Sequence, residues 1–245
     1  MMKKHKKTLE EKLHEIYYNT VNLDTTCKGV CECCNVACPS MFYSEFSNLI
    51  SKIWEQTSKS EKIEMICKSI EYYFKNKFEQ YGKEIFIKPC LLLKDGKCKW
   101  YEQRGINCRL YGLWSDESYN QRVDRFEKAY SEFGLKREDL PLYKQCKNVK
   151  RIDESKPIND EVISQLYSRL DELDKKVGSF SEAQIKNREN YRTFSDWLLF
   201  KILGEAWLVG MTDFILSANK EQIDDLIKQI QIAVTDKFSK DMPKL

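Results

Sequence analysis

The chain has 245 residues, of which 42% are apolar and 32% charged. That composition supports a hydrophobic core and excludes a disordered or fibrous chain. Its 41 Lys and Arg against 38 Asp and Glu leave a net charge of +3, which gives no basis for a nucleic-acid or membrane partner.

In chain order, the first predicted element is a short helix over 6–18, with Leu9, Leu13 and Ile16 on one face. Residues 22–41 have no periodicity and read as an irregular loop wrapped around something. A helix follows over 42–54, its apolar face built from Phe42, Phe46, Leu49, Ile50 and Ile53. Ser58-x-x-Glu61 is a capping box opening the next helix, whose stripe is Ile63, Ile66, Cys67, Ile70 and Phe74. Ile85 to Ile87 reads as a short strand, and Asp95-Gly96 as the turn of a small hairpin.

From Ser115 the pattern is helical again, with Val123, Phe126, Tyr130 and Phe133 in step and Gly134 as the stop. Residues 136–158 form a connector. A helix is predicted over 160–177, closing at Gly178. A long helical region then covers 182–216, interrupted near Gly204 or Gly210, and a last helix covers 220–238. The expected fold is mainly α, with cysteine-rich metal-binding loops, little β structure and a helical C-terminal part. The expected division is a cysteine-cluster region over 1–150 and a helical region over 151–245 packed on it.

The N-terminal MMKKHKKTLEEKLHEIYY has no apolar h-region and no cleavage site. The most apolar later stretch, Trp197–Leu216, carries Lys201, Glu205 and Asp213 and makes a poor membrane span. These features point to a cytoplasmic protein. In a reducing cytosol, dense cysteines mean metal more often than disulfides.

The cysteine count is 10 against 2 His. Cys27, Cys31, Cys33, Cys34 and Cys38 fall close together; Cys90, Cys98 and Cys108 form a second group; Cys146 stands alone. Cys67 sits inside a helical stripe and reads as a plain core thiol. Structural zinc and iron–sulfur clusters both need converging thiolates, soft donors that carry negative charge to the metal. Cys31-x-x-Cys34-x-x-x-Cys38-Pro39 is close to the latter part of the bacterial ferredoxin run. Its front departs, because three residues rather than two separate Cys27 from Cys31, and Cys33 is extra.

His5 and His14 lie outside the dense cluster, which speaks against mixed Cys/His zinc ligation. The expected cofactor is therefore an iron–sulfur cluster, 4Fe-4S and one or two in number, with Zn as the alternative. A cubane with four thiolates carries net negative charge, which nearby cations offset. Arg109, adjoining Cys108, and Arg104 are the candidate cofactor-binding cations; Arg109 could donate to cluster sulfur, to a carboxylate or to a bound anion. Lys97 and Lys99 read as a solvated face.

Cys90-Leu91-Leu92-Leu93, Asp95-Gly96-x-Cys98, Tyr101-Glu102-x-Arg104 and Cys108-Arg109, with Cys27, Cys31, Cys33 and Cys34 ahead of them, resemble the YkgJ-type cysteine-cluster family. That family is described as a zinc- or iron-chelating domain, and it includes the flagellin lysine N-methylases. The resemblance covers 27–110. The family's second cysteine falls at Val30, with Cys31 one place later. Its Arg-Pro becomes Arg104-Gly105, which should add backbone freedom before Cys108.

Three functions follow as expectations. The first is an iron–sulfur protein with a redox or accessory role in a modification system. The second, implied by the resemblance, is a metal-dependent protein lysine methyltransferase. The third is a zinc-stapled, non-catalytic interaction protein. The partners these imply are a redox partner or a protein substrate. Whether the chain is an enzyme, and its catalytic residues, stay open. Cys27-x-x-x-Cys31-x-x-Cys34 matches the radical S-adenosylmethionine spacing in form, but the chain is too poor in strands for the usual barrel.

Overall fold

The computed structural model describes residues 7–19, 21–27, 34, 38–81, 88–113, 115–131, 149–152 and 158–245. The helices are α1 (Leu9–Asn19), α2 (Tyr43–Gln56), α3 (Lys59–Gln80), α4 (Ile106–Leu110) and α5 (Asp116–Ser131). They continue as α6 (Asp160–Val177), α7 (Glu182–Lys186), α8 (Phe194–Leu203), α9 (Glu205–Ser217) and α10 (Lys220–Lys240). The strands are β1 (Ser40–Phe42), β2 (Leu93–Lys94), β3 (Lys97–Cys98) and β4 (Tyr191–Thr193). The fold is mainly α, with two small antiparallel pairs, β1–β4 and β2–β3. No helix among the described residues is long and apolar enough to cross a membrane.

The long helices form where the sequence places an apolar stripe. α3 opens on a complete capping box: Ser58 accepts from the Glu61 amide, and Glu61 accepts from the Ser58 amide. α6 and α10 start on Asn159 and Asn219, whose side chains accept from Val162 and Gln222 amides. α3, α8 and α10 pack around Ile66, Ile70, Phe74, Leu198, Leu199, Ile227 and Phe238. Trp197 is fully buried there. Its ring meets Tyr43, Phe46, Phe180 and Phe200, and its indole donates to the Met41 carbonyl at 3.0 Å. A second core joins α1, α4 and α6 through Leu13, Ile16, Ile106, Leu110, Leu166 and Leu170.

The long helical region expected over 182–216 is corrected. α7 stops at Lys186, the chain turns through Arg188 at φ 58°, and β4 pairs with β1 before α8 begins. The register is Ser40↔Thr193, Met41↔Arg192 and Phe42↔Tyr191. Gly204 does break the helix, whereas Gly210 lies within α9. The strand expected at 85–87 lies outside the described residues, as do Phe133, Gly134 and most of the 136–158 connector; Val123 of the α5 stripe is buried.

Two buried carboxylates pin the start of α2. Asp174 of α6 accepts from the Tyr43 and Ser44 amides at 3.0 and 2.7 Å and from the Asn190 side chain at 2.9 Å. Glu45 accepts from the Phe42 amide at 3.0 Å, the Ile106 amide at 2.6 Å and the Tyr17 hydroxyl at 2.7 Å. Burial pushes Glu45 up to about 7 and Asp174 up to about 6, although these hydrogen bonds favour the ionised forms. Glu45 thereby ties α1, α2 and the start of α4 together.

Candidate metal centre

The two cysteine segments are brought to one side of this scaffold by backbone contacts. The Cys90 amide donates to the Cys34 carbonyl, and the Leu93 amide to the Cys90 carbonyl at 2.9 Å. The expected hairpin is present: Leu93 faces Cys98 and Lys94 faces Lys97. Its turn has Asp95 at φ 51° and Gly96 at φ 72°, left-handed values that Asp tolerates and Gly adopts freely. Asn107 locks the second segment onto the first by donating to the Ser40 carbonyl and the Tyr191 hydroxyl, while Tyr167 donates to its side-chain oxygen at 2.7 Å.

The described thiols fall into two settings. Cys38 and Cys90 are buried among Leu92, Trp100 and the main core, with Cys34 and Cys98 packed at its edge. The Cys38 and Cys90 Sγ atoms are 3.5 Å apart. Tyr72 donates to the Pro89 carbonyl beside them, and burial together with both thiols pushes its hydroxyl well above the ordinary range. Tyr72 was not singled out in the sequence, because it sits off the predicted α3 stripe.

Cys27 and Cys108 are half-buried, outside both apolar core clusters, and near the Arg104 charge. Tyr101 donates to the Cys27 carbonyl, and the Arg104 guanidinium stacks on the Tyr101 ring at 3.5 Å from its centroid. Burial and Arg109 lower the Arg104 pKa; Cys27 and Cys108 raise it. Arg104 is thus a cation close to both thiols. Arg109 is buried, and its donors go to protein: Nε to the Arg104 carbonyl at 3.0 Å, Nη2 to the Glu102 carbonyl at 2.7 Å and Nη1 to the Tyr18 hydroxyl at 3.1 Å. It also stacks on Tyr17, 4.5 Å from the centroid. These partners are neither cluster sulfur nor a carboxylate.

The segment just before Cys27 is stapled to residues 150–152. The Thr26 amide donates to the Lys150 carbonyl at 2.8 Å and the Ile152 amide to the Asp24 carbonyl at 3.0 Å. Cys146 itself, with Cys31 and Cys33, lies outside the described residues. Cys67 stands apart on α3, half-buried against α10, its sulfur 3.6 Å from the Thr235 hydroxyl. His14 is exposed on α1 beside Tyr18. Lys99 is exposed and donates to Glu61 at 3.3 Å, in keeping with a solvated face.

Gly105 lies close against the Glu45 side chain of α2. An added Cβ there would lie 2.9 Å from Glu45 Oε2, and three hydrogen bonds hold that carboxylate in place. The glycine permits close approach of α4 to α2.

Among the described residues, no three His, Cys, Asp or Glu side chains are already converged on one point, and no disulfide is formed. Two thiolates bound to one tetrahedral ion at about 2.3 Å stand about 3.8 Å apart. The observed 3.5 Å fits two thiols sharing one ion. A cubane carries one thiolate per iron, so its ligand sulfurs stand further apart than that. Comparison with family models, with curated proteins and with solved structures found no match.

Proposed function

We propose that this chain is an iron–sulfur protein with a redox or accessory role in a modification system, its cluster held by thiols of 27–38 and 90–108. The observation that carries the reading is the 3.5 Å approach of Cys38 and Cys90 across two segments far apart in sequence. Cys34 and Cys98 pack on the same core and are the candidates to complete the donor set. Within the iron–sulfur class, the short separation favours a cluster with two thiolates per iron over the cubane expected from the cysteine count. When bound, such a cluster supplies one-electron transfer; the protein contributes apolar burial around Cys38 and Cys90 and the Arg104 charge near Cys27 and Cys108.

The same separation favours a second reading, a zinc site that staples the two loops together. Anaerobic purification followed by dithionite titration separates them. A visible chromophore that bleaches and returns on reoxidation supports the redox reading. A colourless, zinc-loaded protein replaces it with the second. A metal-free protein removes both.

A further inference from the structure

A cleft of about 380 Å³ opens between α3, β4, α8 and the start of α9. That is within the range of small-molecule sites. Tyr73 and Leu208 are buried on its wall, while Gln80, Glu205 and Val209 are exposed at its mouth. The deep polar atoms are acceptors. Tyr73 and Thr212 both donate to the Leu208 carbonyl, at 2.9 and 3.1 Å. Their oxygens keep lone pairs for a ligand.

Asp196 adds a carboxylate on the same lining. Burial raises its pKa; the Lys77 charge, the Thr193 hydroxyl, the Arg192 charge and the Thr193 backbone amide oppose that rise, Thr193 donating to the carboxylate through both groups. Neither cation is committed to Asp196: Arg192 pairs with Glu205 at 3.1 Å, and Lys77 donates to Gln80 at 3.2 Å. Asp196 keeps acceptor sites beyond the two that Thr193 fills, and a carboxylate beside hydroxyl oxygens suits a group with several N–H donors. Lys77 and Arg192 offer positive charge to the other end of such a molecule.

We propose that this cleft binds a small zwitterion of the free α-amino acid class, with its ammonium on Asp196 and its carboxylate on Lys77. The site is independent of the cysteines and does not rest on the metal reading. It is tested on the full chain by thermal unfolding with each common α-amino acid singly, and with ethylamine, acetate and sodium chloride at matched concentration. At least one amino acid should raise Tm by several degrees at saturation, about 2–4 °C for each kcal/mol of linked binding. Ethylamine, acetate and salt should not. Asp196→Asn and Lys77→Met should each weaken that binding by about tenfold or more, the loss of one charged contact. Lys77 is partly exposed, so its variant keeps the test readable if Asp196→Asn unfolds. No Tm rise with any amino acid overturns the proposal. So does an equal rise with ethylamine or acetate, or a rise that survives both substitutions.

Discussion

Cys38 and Cys90 sit in an apolar core, sulfur against sulfur, whereas Cys27 and Cys108 sit among tyrosines beside two arginines. The first setting lowers dielectric and excludes water; the second supplies positive charge. Cysteine spacing alone groups Cys27 with Cys34 and Cys98 with Cys108. Packing instead draws Cys34, Cys38, Cys90 and Cys98 to one core and leaves Cys27 and Cys108 outside it. Proximity in sequence therefore does not decide which thiols can share an ion.

The largest effect that would break this contrast is loss of metal. Cys38→Ser and Cys90→Ser should each abolish metal binding, read by elemental analysis, while Cys67→Ser should leave metal content unchanged. Equal retention in all three would erase the distinction between the core pair and the other thiols. Next is the scaffold itself. Trp197→Ala removes a fully buried indole and should cost about 3–5 kcal/mol in denaturant unfolding. A cost under about 1 kcal/mol would mean that the main core does not hold the cysteine layer.

A pH effect sharpens the role of the α2 anchor. Glu45 has a raised folded pKa, so the folded state binds its proton more tightly than the unfolded chain does. Its stabilising contribution is full below the unfolded value of 4.5 and is lost as pH rises through about 7. The fall should be of order 1–3 kcal/mol across that window, and Glu45→Gln should lessen it, leaving the part that Asp174 contributes up to about 6. A wild-type profile that rises over the same window would contradict the assignment. Comparable in size, Gly105→Ala should cost about 1–3 kcal/mol through its contact with Glu45 Oε2. A neutral result would show that the two elements can separate without loss.

Much of the helical frame was legible in the chain. The Ser58–Glu61 box, the Gly178 stop and the α10 stripe are local signals, and so is the Asp95-Gly96 turn. β4 was not legible: it is three residues long, and its partner β1 lies about 150 positions away. Glu45 and Asp174 read as ordinary helix charges until the start of α2 is folded over them. Tyr72 acquires meaning only from the Pro89 carbonyl and the two thiols beside it. The cysteines themselves were plain in the sequence, but their sorting into two settings depends on contacts that no spacing encodes.

The most direct measurement is iron, zinc and acid-labile sulfide per chain after anaerobic purification, made in parallel on wild type, Cys38→Ser and Cys90→Ser. The account predicts equimolar iron and sulfide in the wild type, lost from both variants together. A wild-type chain that holds zinc without sulfide, or no metal with its thiols all titratable, would contradict it.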